Sequence, residues 1–422
     1  MSDALLSDLA ADVGEQVMVV RQPIFDRGKS VWGYELLSSP PPQGHSEQVA
    51  ALEDLISFQK EKLSSLGIEF STDKKLLLNM SGYNHLNSYD FSGYLGDIVF
   101  GFSNTAASSE HGSFFVSNMH EQGGSVAIDN DLDESVFDSL MDKCDIVKVS
   151  LEGKMPSDIV NIRRKLKNYE GKLLATDVSS WEAFEGTRAL GFKIFQGSFF
   201  SLPLIEEDAG LQVASVSKLQ LIRELNNPGC DMEELASIIA SDVSLSYRIL
   251  KYINSVAFGL KREIKSIQQA VALLGLNELK HWATVVVMTD LDSTPKGEEL
   301  AYMALQRGRF LSQLAGTIEQ CQLAPETMFM LGLFSKLDAL LSYPMDKALD
   351  GIALDEAIKA GLCGERNEYG NCLRMLEAVE TGKWEVANAI LKRYGFSVPK
   401  AATQYLQASS WAARQLPSMK SQ

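Results

Sequence analysis

Five polar side chains lie at or near the ends of short apolar segments in the first half of this chain. They are two carboxylates, two amides and one amine: Glu35, Asp129, Asn79, Gln196 and Lys148. An acidic side chain within an apolar segment needs a partner, a metal ion or access to solvent. One such residue at a strand end is usually a structural hydrogen-bonding group. Five in succession form a shared site only if their segments converge in the fold.

The segments that carry these residues have the length and composition of buried strands. The first strand is expected at 17–20 and to end at Gln22-Pro23, because proline cannot donate to a strand ladder. Turn residues at 26–29 then lead into the segment that contains Glu35. Further strands are predicted at 75–79, 98–102, 126–129, 146–149, 172–175 and 192–197, with helices at 46–66, 159–169 and 179–190. This alternation predicts a parallel sheet closed as a (β/α) barrel, whose polar strand ends would cluster at one face.

The composition of the chain is that of a globular protein with more than one domain. Its 422 residues exceed one ordinary core, and its net charge of −16 argues against binding to nucleic acid polymers or anionic membranes. The N-terminus lacks the features of a signal peptide, and no apolar run reaches the length of a spanning helix. The five cysteines form no CxxC pair, which predicts free thiols in the cytoplasm.

The second half of the chain has helical periodicity throughout. Residues 201–210 read as a linker, and helices are predicted at 211–225, 300–320, 326–341, 354–360, 370–380 and 384–393. Asp231 and Ser266 are predicted helix caps, and Gly275 is expected to end the helix that Ser266 begins. These signals predict an all-helical second domain.

Residues 21–37, RQPIFDRGKSVWGYELL, resemble the first strand and hairpin of EAL domains, the barrels that hydrolyse cyclic di-GMP. The resemblance covers about 17–203 and is strongest to the branch that reads YELL and carries an HDOD domain behind the barrel. It implies that Glu35 is the signature glutamate, a metal ligand in active members, and that Lys148 is the active-site lysine. It also implies that Asn79 is the metal-binding asparagine, Asp129 the first aspartate of a pair, and Gln196 the glutamine near the domain end.

Five positions depart from the pattern of active EAL domains. Ser39 replaces a phosphate-binding arginine, and Gly101 replaces a metal-binding glutamate. Asn130 and Ser150 each replace an aspartate, and Thr176 replaces a further glutamate. Two-metal hydrolysis needs several anionic oxygens around cations about 3.5–4 Å apart. Two carboxylates and one amide could hold a single magnesium ion weakly. The alternative is that Glu35, Asn79 and Lys148 only satisfy one another.

Residues 241–259 and 264–282 resemble the HDOD domain, whose motif positions fall on Asp242, Asn254, Ser255 and Gly275. HDOD domains resemble HD phosphohydrolases that have lost their metal ligands. The His-Asp pair of a true HD domain would fall near Ser335-Lys336 and is absent. His281 is expected to be a packing or surface residue, since metal sites need several ligands.

The resemblance implies a degenerate EAL barrel at 1–203 and a helical HDOD domain at 204–422, an α/β barrel followed by an all-α domain. The first hypothesis is a non-catalytic cytoplasmic signalling protein that acts on other signalling proteins, with no cofactor or metal. The second is a receptor that binds cyclic di-GMP without turnover, and the third is a weak phosphodiesterase. Ser39 argues against the second, because bidentate phosphate recognition needs a guanidinium, and Gly101, Asn130 and Thr176 argue against the third.

Overall fold

The computed structural model describes residues 18–39, 74–79, 96–102, 110–131, 134–204, 213–254, 264–317 and 323–419. The chain divides into two compact units. One contains the strands up to Leu202 and also Ala378–Glu385, and the other begins at Pro203 and excludes that segment. The assignment of 1–203 and 204–422 as EAL and HDOD domains remains a prediction.

Eight strands form a closed barrel in which neighbours in sequence are neighbours in space. They are β1 (Val19–Asp26), β2 (Val31–Ser38), β3 (Lys75–Asn79), β4 (Ile98–Phe102), β5 (Ser125–Asp129), β6 (Ile146–Ser150), β7 (Lys172–Thr176) and β8 (Ile194–Gln196). Strands β2 to β8 run parallel, as predicted, but β1 is antiparallel to both β2 and β8. The expectation of a fully parallel barrel is therefore wrong at β1, because a tight hairpin joins β1 to β2. In that turn the Asp26 carboxylate accepts hydrogen bonds from the backbone N–H groups of Gly28 and Ser30.

The first strand also extends beyond its predicted end. It continues through Pro23 to Asp26, so the expectation that Gln22-Pro23 terminates it is wrong. Strand β8 pairs only with residues 24–26 of β1, which leaves Pro23 with a paired neighbour on one side only. Proline is tolerated where a strand has such an unpaired side.

Helices alternate with the later strands and cover the outside of the barrel. They are α1 (Glu110–Glu121), α2 (Glu134–Leu140), α3 (Pro156–Lys165) and α4 (Trp181–Ala189). Helix α4 begins where the hydroxyl of Ser180 accepts a hydrogen bond from the backbone N–H of Ala183. Its Phe184 stacks on Phe199, with ring centroids 4.9 Å apart. The predicted helix at 46–66 lies outside the described residues.

One apolar layer fills the barrel interior. Its buried members come from seven strands: Ile24, Leu77, Val99, Ala127, Ile146, Leu174 and Ile194. Side chains two residues apart on a strand point to the same face. The next inward-facing position on each strand therefore forms a second layer directly above this apolar one.

The second unit is helical, as predicted. Its helices are α5 (Val213–Leu225), α6 (Met232–Ser241), α7 (Val243–Ile253), α8 (Ile267–Leu274), α9 (Leu276–Thr289), α10 (Pro295–Gly316), α11 (Pro325–Phe334), α12 (Leu337–Leu341), α13 (Met345–Ala348), α14 (Glu356–Leu362), α15 (Glu368–Glu380), α16 (Trp384–Arg393) and α17 (Val398–Met419). None of the described helices has both the length and the apolarity to cross a membrane. Residues 205–210 of the predicted linker are not among the described ones.

Two expectations about this unit are wrong. The helix predicted over 326–341 is broken after Phe334, where the hydroxyl of Ser335 donates to the Gly332 carbonyl and competes with helix continuation. The 22-residue helix α17 was not predicted at all. Helices α10 and α11 cross at Gly308 and Gly332, and a β-carbon added at Gly332 would lie 2.3 Å from the Gly308 nitrogen. This crossing therefore requires glycine.

Candidate functional site

The polar residues singled out in the first half lie in the layer above the apolar interior of the barrel. Each strand contributes one position to this layer. On seven strands that position is two residues from an apolar member of the interior, and on β2 it is the residue paired with Gln22 of β1. In strand order these positions are Gln22, Glu35, Asn79, Gly101, Asp129, Lys148, Thr176 and Gln196. The strand register therefore brings all five polar residues singled out from the sequence to one mouth of the barrel. Gln22 was missed because its strand was predicted to end there.

Both carboxylate oxygens of Glu35 accept hydrogen bonds from side-chain amides. Oε1 accepts from Asn79 Nδ2 at 2.5 Å, and Oε2 accepts from Gln196 Nε2. The same Gln196 amide also donates to Gln22 Oε1 at 2.6 Å. Glu35 and Gln196 are buried, so these bonds replace the hydrogen bonds that water would otherwise donate to the carboxylate.

Lys148 connects the other half of this layer. Its buried ammonium lies 2.9 Å from Asp129 Oδ1 and donates to Asn79 Oδ1 at 3.2 Å. The Asn79 amide therefore donates to Glu35 through its nitrogen and accepts from Lys148 through its oxygen. We call Glu35, Asn79, Lys148, Asp129 and Gln196 the mouth network.

Two of the positions predicted to depart from the EAL pattern supply no charged group, Ser39 and Gly101. Ser39 is buried, and its hydroxyl accepts a hydrogen bond from the backbone N–H of Met18 at 2.9 Å. Gly101 lies opposite Asn79, and a β-carbon there would be 2.8 Å from Asn79 Oδ1. The side chain of Asn79 therefore occupies the space that a longer side chain at position 101 would need.

Two further positions predicted to depart from the EAL pattern, Ser150 and Thr176, contact a carboxylate that the sequence did not single out, Asp177. The hydroxyls of Ser150 and Thr176 both donate to Asp177 Oδ2, at 2.6 and 3.3 Å. Asp177 has a φ of 56°, a left-handed conformation that few residues other than glycine adopt. The backbone N–H of Asn130 bonds to the carbonyl of Lys148. No pattern in the sequence signals the left-handed turn that brings Asp177 to the two hydroxyls.

The mouth network is a poor fit for two divalent cations. Among the described residues, no group of three or more histidine, cysteine or acidic side chains could hold a metal ion. Of the two carboxylates in the mouth network, Glu35 accepts two amide N–H groups and Asp129 is paired with Lys148. Divalent cations that hydrolyse phosphodiesters need several free anionic oxygens.

The HDOD motif positions in the second unit have structural contacts. The Asp242 carboxylate accepts from the backbone N–H of Leu245 at the start of α7, and Gly275 ends α8 with a φ of 83°. Asn254 forms two 2.7 Å hydrogen bonds with the backbone N–H and carbonyl of Ile264. Ser255 lies outside the described residues.

His281 lies on α9, and the residues near the absent His-Asp pair lie at the junction of α11 and α12. The His281 ring is 5.6 Å from that of Phe329, and burial lowers its pKa. Ser335 accepts a hydrogen bond from the buried guanidinium of Arg307 at 3.1 Å. Burial also raises the pKa of the nearby Asp338 carboxyl. Four cysteines in the described part of the chain are free thiols, while Cys321 falls outside it.

The HDOD domain model matches residues 213–353. This match confirms the HDOD resemblance over that range, which is narrower than the predicted 204–422. It does not extend to α14, α15, α16 or α17.

Two relatives align with almost the whole chain. An uncharacterized Bacillus subtilis protein, YuxH, is 27% identical over 414 residues, which cover 94% of this chain and 98% of the relative. The Vibrio cholerae cyclic di-GMP phosphodiesterase CdgJ is 25% identical over 398 residues, which cover 93% of this chain and 92% of the relative. Among solved structures, the Bacillus subtilis YkuI protein, with an EAL domain, aligns with 57% of this chain and 72% of its own at 16% identity and a TM-score of 0.36. A TM-score of this size is too low to establish a shared fold.

Proposed function

We propose that this chain is a cytoplasmic signalling protein, related to cyclic di-GMP signalling proteins, that acts through protein contacts without turnover. The mouth network carries this proposal. In it, the oxygens that an EAL phosphodiesterase would offer to metal ions already accept hydrogen bonds or pair with Lys148. The degraded EAL barrel at 1–203 would then be a structural module joined to the helical domain at 204–422.

The energetics of the network support a structural role for Glu35. A metal ion at Glu35 would have to displace amide donors from a buried carboxylate, and those amides would then lose their acceptor. Gly101 offers no carboxylate in compensation, and Thr176 and Asn130 are neutral. Catalysis by two metals would therefore require the mouth to rearrange in several strands at once.

A phosphodiesterase is the second candidate, because CdgJ is named as one and its alignment with this chain covers 92% of CdgJ. A receptor that binds cyclic di-GMP without cutting it is the third. In the receptor, Lys148 would have to bind a phosphate. Ser39 carries no charge, and its hydroxyl accepts a hydrogen bond from the backbone N–H of Met18.

Turnover separates the first two candidates. We expect purified protein, incubated with cyclic di-GMP and either magnesium or manganese, to form no linear dinucleotide detectable by chromatography. A Glu35→Ala variant is the matched control, because it removes the signature carboxylate. Product formation that disappears in this variant would contradict the proposal and favour the phosphodiesterase.

Calorimetric titration separates protein contact from nucleotide reception. We expect no saturable heat when cyclic di-GMP is added to the protein with or without magnesium. Saturable binding that Lys148→Met weakens at least tenfold would favour the receptor. An affinity pull-down from the native cytoplasm, with wild-type protein as bait, would then identify the partner that the proposal requires.

A further inference from the structure

The helical unit contains an open cavity of about 760 Å³ between α5 and residues 343–365. Helix α5 lines it with one face, on which Val216, Leu219 and Arg223 recur at helical spacing. Helix α14 lines it in the same way with Glu356 and Lys359. The volume is within the range of small-molecule sites, about 300–1,000 Å³. This cavity is separate from the barrel mouth and from the HDOD motif positions.

Arg223 gives this cavity an unsatisfied cation. The side chain is partly buried, and its Nε is fully buried with no hydrogen-bond partner. The guanidinium lies over Gly351, where a β-carbon would be 3.2 Å from Nε and 3.6 Å from Cζ. Gly351, with a φ of 73°, therefore lets the side chain rest on bare backbone. A buried N–H donor without an acceptor is unfavourable, and the rest of the partly buried guanidinium can donate to an anion in the cavity.

The lining also contains acidic side chains. Asp346 and Glu365 line the cavity near Cys363, and neither carboxylate has a hydrogen bond or ion pair with another described side chain. Burial, followed by the charges of Asp346 and Glu365, raises the pKa of the Cys363 thiol. Glu356 is already paired with Lys359 at 3.0 Å. The lining therefore carries side chains of both charges, with Arg223 and Lys347 among the cations and Asp346, Asp350 and Glu365 among the acids.

We propose that this cavity binds a small dipolar ligand. Its carboxylate or phosphate group would pair with the Arg223 guanidinium, and its ammonium or other N–H donor would face Asp346 and Glu365. The planar fork of arginine suits both kinds of anion, because each can accept two parallel N–H bonds.

A length series of ω-amino acids tests the proposal: glycine, β-alanine, 4-aminobutyrate and 6-aminohexanoate. Binding to the full-length chain would be measured by saturation-transfer NMR and calorimetry, with acetate and methylammonium as single-charge probes. We expect one length to bind at least tenfold more tightly than either single-charge probe. O-Phosphoethanolamine, compared with β-alanine, shows whether the anionic group is preferred as phosphate or as carboxylate.

Three variants locate the binding site. Arg223→Gln should weaken the best compound at least tenfold, and Asp346→Asn should weaken it several-fold, while Arg393→Gln on α16 should leave affinity unchanged. Arg223→Lys keeps the charge but loses the fork, and it serves as the test if the glutamine variant does not fold. Equal affinity in Arg223→Gln and wild type would overturn the proposal. So would a series in which no dipolar compound binds more tightly than acetate or methylammonium. The outcome does not depend on whether the barrel turns over cyclic di-GMP.

Discussion

Polar side chains in the barrel mouth and at the helix caps of the second unit are satisfied over very different sequence distances. In the barrel mouth, Glu35 bonds to residues 44 and 161 positions away, and Lys148 bonds to one 69 positions away. In the helical unit, Asp231 and Ser266 bond to backbone groups two or three positions away. The mouth network therefore exists only once the barrel has closed, whereas the helix caps can form within a single turn.

This difference has an energetic consequence. A change in the mouth leaves partners on other strands without a bond, so its effect should spread through several side chains and be non-additive. A change at a cap should cost one hydrogen bond and combine additively with distant changes. The predictions below test this contrast, beginning with the largest expected effect.

Replacing Glu35 should be the most destabilising change. Glu35→Leu leaves the amides of Asn79 and Gln196 without their acceptor in a buried site and should lower the free energy of unfolding by about 3 kcal/mol. Glu35→Gln keeps one acceptor oxygen and should have a smaller effect. Denaturant unfolding measures both, with the exposed Glu152→Gln as control. A Glu35→Leu protein as stable as wild type would indicate a strained site of the kind found in enzymes rather than a structural network.

Gly101→Ala should be the next largest change. The added β-carbon approaches Asn79 Oδ1 to 2.8 Å and Leu77 Cδ2 to 3.2 Å, so overpacking should cost about 2 kcal/mol. Gly186→Ala is the matched control, because nothing lies within 4 Å of its added carbon. Since Gly186 lies within α4, the control should stabilise the protein by about 0.5–1 kcal/mol. Equal effects of the two substitutions would mean that Asn79 is free to move away from Gly101.

Asn254→Ala should have a smaller, local effect. The variant loses the two hydrogen bonds to Ile264 at an exposed site, which should cost about 1 kcal/mol in thermal or denaturant unfolding. Asn254→Asp keeps the acceptor for the Ile264 N–H and should be less damaging. An Asn254→Ala protein with unchanged stability that loses a pull-down partner would instead make Asn254 a contact residue.

The smallest expected effect is the pH dependence at His281. Burial lowers its pKa from the ordinary value of 6.5. Just below that pH, the imidazole is therefore protonated more fully in the unfolded chain than in the folded chain. Stability should therefore fall as pH drops below about 6.5, and His281→Gln should reduce that loss. Unfolding curves of both proteins at pH 7.5 and 5.5 give the comparison. Parallel losses in the two proteins would show that His281 does not contribute.

The same contrast explains what could be predicted from the sequence. The caps at Asp231 and Ser266 and the helix end at Gly275 were predicted correctly, because each signal lies within a few residues of its effect. The strands were placed well, yet the sequence could not show that Asn79 would bridge Glu35 and Lys148. That pairing depends on how far neighbouring strands are staggered around the closed barrel. Gln22 was missed for a different, local reason, because its strand was predicted to end at Gln22-Pro23.

Manganese binding tests the central claim about the barrel mouth most directly. Electron paramagnetic resonance would follow the free-ion signal as the protein is titrated with Mn²⁺, in wild type and in Glu35→Ala. We expect at most one weakly held ion per chain, because the carboxylates of the mouth network are already bonded to protein donors. Two tightly held ions per chain, lost on Glu35→Ala, would contradict the account and restore a two-metal site.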